Sequence, residues 1–203
     1  MQRSDDAPSS ALLVPVASFY NFAHAGRWSE IEEHLSRSSS ALELSSVLSA
    51  LRYQFPGGYG GEGETVVHEL LSAYEKPGGI FFNSVRGYRP PPPLLLSRLV
   101  DLCNARGYRI LELRTSQLQN TFLRYAATHT DDVEVFKYLV AENPKCLVLK
   151  NGKDRRPIDS AEAWKRAAEV QLFLKVATDI AERIDVELPF EHFKFEFQMW
   201  EKI

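Results

Sequence analysis

Apolar residues recur every three or four positions in several short segments of the chain, which is the spacing of amphipathic α-helices. The clearest case lies between residues 121 and 144, where two such segments are separated by a polar turn. Thr121 is a suitable residue to start the first helix, and Pro144 ends the second. The apolar positions of these helices are Leu123, Ala126, Ala127, Val133, Phe136, Leu139 and Val140. Helices this short are not stable alone, so we expect each pair to stack on neighbouring helices.

The same pattern of two short helices around a turn predicts four helix pairs. We expect one repeat domain over residues 16–184, with insertions at about 41–62 and 76–93. The first insertion contains a further helix over 42–51, and the last predicted helix runs from about 169 to 184. The four units lie at about 16–40, 63–105, 118–150 and 154–184. The predicted fold class is all-α, a helical-hairpin repeat solenoid with inserted loops.

Both ends of the chain depart from this helical pattern. Residues 1–15 form an N-terminal arm that lacks the length and flanks of a signal peptide. Residues 185–203 form an aromatic tail in which polar and apolar residues alternate, as in a β-strand. A lone strand is not stable, so we expect the tail to be extended and either to cap the last repeat or to add to a partner's sheet.

Three helix starts carry a family resemblance. They are Thr65-Val-Val-His68, Thr121-Phe-Leu with Ala126-Ala127, and Arg156-Pro-Ile-Asp159 with Ala161. Each resembles the Thr-Pro-Leu-His-x-Ala signature of ankyrin repeats, and the match is best over residues 118–177. The structural alternative is an unrelated helical-hairpin solenoid of the HEAT or tetratricopeptide kind.

The ankyrin resemblance implies an L-shaped stack of helix pairs, in which the first helices and the connecting finger loops bind another protein. It implies no catalysis, and it gives His68 a structural role through hydrogen bonds to neighbouring backbone. The exposed first-helix positions would be Asn21, His24, Glu69, Ser72, Ala73, Tyr125, Thr128, His129, Ser160, Ala163 and Trp164. Tyr125, His129 and Trp164 are the predicted anchors, because Tyr and Trp are enriched at binding hot spots. The alternative for Trp164 is packing under the C-terminal tail.

The insertion at 76–93 is a second candidate binding segment. It combines the aromatic residues Phe81 and Phe82 with Arg89 and four consecutive prolines at 90–93. A polyproline segment is extended before it binds, so it can dock in an aromatic groove of the SH3, WW or profilin kind. The alternative is a stiff spacer that folds back on its own domain.

Composition and charge narrow the classes of partner. The chain is 44% hydrophobic and 25% charged, which is typical of a soluble globular protein, and its net charge of −3 argues against binding to nucleic acid or an anionic membrane. No segment approaches the roughly 20 apolar residues of a membrane span. Cys103 and Cys146 each stand alone in an apolar segment, which favours a reducing compartment. We therefore expect a cytoplasmic or nuclear protein.

No motif predicts a catalytic, cofactor-binding or metal-binding residue. The glycine-rich segment 58–63 has dinucleotide-loop spacing, but a helix precedes it and its acidic residues would repel phosphate. The histidines are scattered, and no CxxC or GxSxG motif occurs. The sequence thus predicts an ankyrin-repeat scaffold or adaptor that binds another protein. The alternatives are a built-in structural or regulatory subunit of a larger assembly, and a small enzyme or nucleotide-binding protein with a pocket near His68.

Overall fold

The computed structural model describes residues 18–37, 41–52, 54, 64–73, 94–115 and 118–183. Within these ranges every regular element is helical and no strand occurs, so the all-α prediction is confirmed for this part of the chain. The α-helices are α1 Ser18–His24, α2 Trp28–Arg37, α3 Ala41–Arg52, α4 Val66–Ala73, α5 Leu95–Asn104, α6 Phe122–His129, α7 Val133–Glu142, α8 Pro157–Ala163 and α9 Ala168–Arg183. Short 3-10 turns occupy Ile110–Glu112 and Pro144–Leu147; the apolar periodicity did not predict them.

Local capping residues set the starts of α6 and α7, and the start at Thr121 is as predicted. The Thr121 hydroxyl accepts a hydrogen bond of 3.3 Å from the backbone N–H of Arg124 at the start of α6. The Asp132 carboxylate does the same for the N–H of Glu134 at the start of α7, at 3.0 Å. Each cap satisfies an N–H group that has no partner within its own helix. Pro157 is the first residue of α8, where its fixed φ suits a helix start.

The turn between α1 and α2 depends on a glycine. Gly26 has a φ of 67°, in the left-handed region that side chains other than glycine disfavour. Its N–H donates to the carbonyl of Ala23, and the N–H of Arg27 donates to the carbonyl of Phe22. This reversal brings α2 back against α1.

The helices contact one another in a regular order. Four of them, α1, α4, α6 and α8, are called the first helices here, and each contacts the next in that order. The helices that follow them, α2, α5, α7 and α9, each contact their own first helix, and α7 also contacts α9. The first helices of successive pairs therefore lie side by side, although long stretches of sequence separate them.

One hydrophobic core joins all of these helices. The predicted insertion at 41–62 contributes to it, because α3 contacts α1 and α4 and buries Val47, Ala50 and Leu51. The largest fully buried side chains elsewhere include Phe19, Ile31, Leu70, Leu99, Phe122, Phe136 and Leu139. The C-terminal tail at 185–203, the N-terminal arm at 1–15 and the insertion at 76–93 lie outside the described residues.

One expected core position is wrong. The helical spacing of Leu172, Phe173, Val176, Ile180 and Ile184 predicts these residues as the apolar side of the last helix, yet 56% of Leu172 is exposed. Its neighbours Phe173 and Leu174 are buried instead, together with Val170 and Ala177. Because α9 packs on α7, on α8 and on the turn at Pro144–Leu147, its buried side is set by their combined positions.

Candidate functional site

Tyr125 of α6 forms a buried connection to α4 and to Glu64, which lies two residues before α4. The phenol hydroxyl donates a hydrogen bond of 3.0 Å to Oε1 of Glu64 and lies 3.3 Å from Oγ of Ser72. The Ser72 hydroxyl also donates to the carbonyl of His68, one turn earlier in α4, at 3.0 Å. Tyr125 thus ties two first helices together at a position where a hydrogen bond is shielded from water.

The Glu64 carboxyl group has an unusual environment. It is buried, and the negative charge of Glu69 lies near it, so burial first and Glu69 second raise the pKa of Glu64 from 4.5 to about 7. The hydrogen bond from Tyr125 acts in the opposite direction but is the weaker effect. The carboxyl group therefore changes its charge near neutral pH.

A second connection joins α1 to α4. The Tyr20 hydroxyl donates a hydrogen bond of 2.7 Å to Oε1 of Glu69, and Nδ1 of His24 lies 3.4 Å from the same oxygen. The rings of Tyr20 and His24 are stacked with centroids 6.0 Å apart. The Tyr20 side chain is buried, whereas 72% of the His24 side chain is exposed. This connection therefore reaches the surface at His24.

His68 forms a hydrogen bond to neighbouring backbone, as the family resemblance predicts. Its ring is fully buried, and its Nδ1 accepts a hydrogen bond of 3.0 Å from the backbone N–H of Thr65. The Thr65 hydroxyl lies 3.1 Å from the same nitrogen. With Nδ1 as acceptor, the hydrogen of the neutral ring sits on Nε2, which is buried without a partner in the described part of the chain. Burial lowers the pKa of His68 to about 3, so the ring is neutral.

His129 packs at the end of α6, on the side of Tyr125. The two rings are tilted with centroids 4.4 Å apart. Burial, and then the charge of Arg166, lower the pKa of His129 to about 4. The neighbouring hydroxyl of Thr128 donates to the carbonyl of Tyr125 within its own helix, at 2.7 Å. Thr128 and His129 are half-buried, so each presents only part of its surface to solvent.

The structure separates the predicted surface residues into three groups. Asn21, His24, Ala163 and Trp164 are exposed, with Trp164 at 53%, while Glu69, Thr128 and His129 are half-buried. The prediction of exposure is wrong for four others, which are buried: Ser72, Ala73, Tyr125 and Ser160. Ser72 of α4 and Tyr125 of α6 lie where these two first helices contact each other, so each helps to cover the other. Phe81, Phe82 and Arg89 lie outside the described residues.

Two of the connecting residues were not predicted. Glu64 directly precedes the Thr65 helix start, and Tyr20 directly precedes Asn21. Their partners, Tyr125 and Glu69, are 61 and 49 positions away. No local pattern distinguishes Glu64 and Tyr20 from other residues of the same type, because contacts at such separations depend on the packing of the helices.

Neither a metal centre nor a membrane span is found among the described residues. They contain no group of three or more His, Cys, Asp or Glu side chains arranged to hold a metal ion. They also contain no helix with the length and hydropathy needed to cross a membrane. The chain matches no protein-family model, no curated protein and no solved structure in our comparisons.

Proposed function

We propose that this chain is a divergent ankyrin-type repeat protein that binds another protein and acts as a scaffold or adaptor without catalysis. The observation that carries the proposal is the order of helix contacts, in which α1, α4, α6 and α8 follow one another and each contacts its own second helix. A stack of helix pairs produces this order. The hydrogen bond between Thr65 and His68 supports the same reading, because it joins two positions of the ankyrin-like motif.

The proposed binding site is the first-helix surface, defined as the solvent-facing residues of the first helices. Its members are the predicted first-helix positions that are not buried, with Trp164 included because it directly follows α8: Asn21, His24, Glu69, Thr128, His129, Ala163 and Trp164. Trp164 directly follows α8 and is the largest exposed aromatic side chain of this set. Tryptophan is enriched among residues that dominate binding energy. We therefore propose Trp164 as the main anchor.

Two buried hydrogen bonds hold the first helices in fixed positions and so favour a rigid first-helix surface. The Tyr20–Glu69 bond fixes α1 against α4, and the Tyr125–Glu64 bond fixes α4 against α6. The residues above them are then held in place before a partner arrives. A preorganised surface loses less conformational entropy on binding, which leaves more of the contact energy for affinity.

The test uses only exposed residues, because Tyr125→Ala would disturb the packing of α4 on α6. A surface variant carries Asn21→Ala, His24→Ala and Trp164→Ala, and a control variant carries Arg109→Ala, Leu172→Ala and Lys175→Ala. All six residues are exposed, and the control residues lie outside the first helices. Circular dichroism should show the same helix content and thermal midpoint in both variants.

The two variants are compared in affinity capture, and the captured protein is then purified for titration calorimetry. We expect the surface variant to bind at least about tenfold more weakly, since loss of a hot-spot tryptophan alone exceeds this factor. The control variant should match the wild type. Equal binding by all three proteins would show that the first-helix surface is not the binding site.

A further inference from the structure

Three of the described helices are followed by the same backbone turn. Just after α1, α5 and α8, one residue has a φ between 51° and 73°, and these residues are Gly26, Gly107 and Lys165. In each case its N–H donates to a carbonyl three residues earlier, and the next N–H donates to a carbonyl five residues earlier. This left-handed cap satisfies carbonyl groups that are free at the end of a helix. The chain thus builds the turn with glycine twice and with lysine once.

Lysine is the less stable residue in this turn. In the left-handed region the Cβ of any other residue crowds its own backbone, which costs free energy that glycine does not lose. At Gly107 a Cβ would meet no heavy atom within 4 Å, so the φ of 73° is what favours glycine there. The other described non-glycine residues with positive φ, Gln119 and Asp154, lie in loops and not after a helix. The turn itself therefore does not require a lysine at position 165.

The Lys165 ammonium group has no partner within the described part of the chain. Lys165 is exposed, and it forms no ion pair even with Glu162, three positions earlier in α8. A positive charge near the C-terminal end of a helix is favourable, but Arg166, the next residue, also carries one. The charge of Lys165 is thus not needed for the helix and is free to meet a group from another molecule.

Lys165 directly follows Trp164, the proposed anchor of the first-helix surface. Trp164 is 53% exposed and makes no ring contact within the described ranges. The N–H groups of Lys165 and Arg166 both bond back to carbonyls of α8, so the turn fixes the backbone that carries the Trp164 and Lys165 side chains. Strained backbone that persists beside an exposed aromatic residue is typical of binding sites, where local stability is lost in exchange for function.

We propose that Lys165 pairs with a carboxylate of the partner protein, next to an apolar side chain of the partner that packs on Trp164. This role of Lys165 rests on the proposed function, since it requires that the first-helix surface binds a partner. An exposed ammonium group at the edge of a binding surface favours acidic partners over neutral or basic ones, which glycine in the same turn would not do.

The surroundings of Lys165 favour a single carboxylate over a row of negative charges. Glu162 and Glu169 lie close to it along the chain, and both are exposed. These two carboxylates would repel a nucleic acid, whose phosphates are closely spaced. One Asp or Glu side chain needs only the Lys165 ammonium group. The partner chemistry is therefore an apolar residue beside a single acidic residue.

The test selects peptides from a phage-displayed random library on the intact wild-type protein, on Lys165→Glu and on Lys175→Glu. Lys175→Glu is the matched control, because Lys175 is also exposed but lies on α9, outside the first-helix surface. Only peptides that lose binding to Trp164→Ala are counted, which restricts the result to this surface. We expect Asp or Glu beside an apolar residue for the wild type and Lys175→Glu, and Lys or Arg in its place for Lys165→Glu.

One peptide selected on the wild type is then synthesised and titrated by fluorescence anisotropy. We expect Lys165→Gln to weaken binding about threefold to tenfold, and Lys165→Arg to change it less than about twofold. Trp164-dependent peptides without an acidic residue would overturn the role of Lys165 and leave the proposed function standing. The absence of any Trp164-dependent peptide would contradict the first-helix surface and overturn both.

A stability measurement separates binding from a structural role of Lys165. Lys165→Gly relieves the strained φ, so its midpoint of urea denaturation should lie above that of the wild type. It should nevertheless bind the peptide as weakly as Lys165→Gln does. Gly107→Lys makes the reverse change in the equivalent turn after α5 and should lower the midpoint. A lower midpoint for Lys165→Gly would show that the lysine stabilises its own fold and would overturn the proposal.

Discussion

The phenol of Tyr125 and the carboxyl group of Glu64 form a hydrogen bond of 3.0 Å between residues 61 positions apart. The Ser72 hydroxyl lies 3.3 Å from the same phenol oxygen and also donates to the carbonyl of His68. Two hydroxyl hydrogens thus serve three contacts. A protonated Glu64 would reverse its bond to Tyr125 and donate to the phenol oxygen, which leaves the Tyr125 hydroxyl to donate to Ser72. The raised pKa of Glu64 favours this protonated form below about pH 7. The packing of α6 on α4 is therefore coupled to a proton.

Glu64→Gln should make stability less sensitive to pH. The pKa of Glu64 rises from 4.5 in the unfolded chain to about 7 in the folded protein. Between these values the folded state holds more protons, so the free energy of unfolding falls as pH rises, by about 3 kcal/mol in total. Glutamine stays neutral, so the free energy of unfolding of the variant should fall less between pH 5 and pH 8 than that of the wild type. Urea unfolding at both pH values measures this, with exposed Glu134→Gln as control.

A difference between wild type and Glu64→Gln that is the same at pH 5 and pH 8 would contradict this prediction. It would mean that Glu64 ionises at its ordinary pKa, and that the burial and the Glu69 charge have little effect in solution. The Glu134→Gln control should follow the wild-type curve at both pH values, because Glu134 is exposed.

His68 and His129 should remain neutral at pH 5. Burial lowers the pKa of His68 to about 3 and that of His129 to about 4, so only the unfolded chain takes up protons on these residues between about pH 6.5 and pH 4. The free energy of unfolding contributed by them therefore rises as pH increases through this window. Nitrogen-15 shifts of the rings measure both charge and tautomer, and Nδ1 of His68 should be the unprotonated nitrogen. A titration midpoint near pH 6 would contradict the burial.

Thr121→Val should destabilise the fold by about 1 kcal/mol, because it removes the hydroxyl that caps α6 while keeping the branched shape. The Thr121 hydroxyl accepts from the N–H of Arg124 at 3.3 Å. Thr128→Val is the matched control, since its hydroxyl donates to a carbonyl within α6 and caps nothing. Urea denaturation measures the free energy of unfolding of both variants. Equal effects would show that capping by Thr121 is not the source of the loss.

Leu139→Ala and Leu172→Ala make the same chemical change in two environments. Leu139 of α7 is buried in the core, whereas 56% of Leu172 on α9 is exposed. We expect a loss of about 2–5 kcal/mol for Leu139→Ala, from lost burial and the cavity left behind. Leu172→Ala should change stability by less than about 0.5 kcal/mol. A large loss for Leu172→Ala would mean that another part of the molecule covers this residue in solution.

Sequence reasoning predicted the helices better than their surroundings. The segments that start at Thr121, Asp132 and Pro157 form helices as expected, because caps and apolar periodicity act within a few residues. Exposure was predicted correctly for His24 and wrongly for Tyr125. The difference arises because Tyr125 lies on α6, which has a first helix on each side of it, α4 and α8. His24 lies on α1, which contacts only one other first helix, α4.

By itself, the sequence determined that the described part of the chain is helical and where helices such as α6, α7 and α8 begin. These features depend on groups only a few residues apart, so local order is enough to specify them. The tertiary structure alone decided that Tyr125 meets Glu64, that Leu172 faces solvent and that Arg124 is buried. Burial, ion pairing and the pKa of a carboxyl group depend on distances across the packed helices, and these are set only when the helices come together.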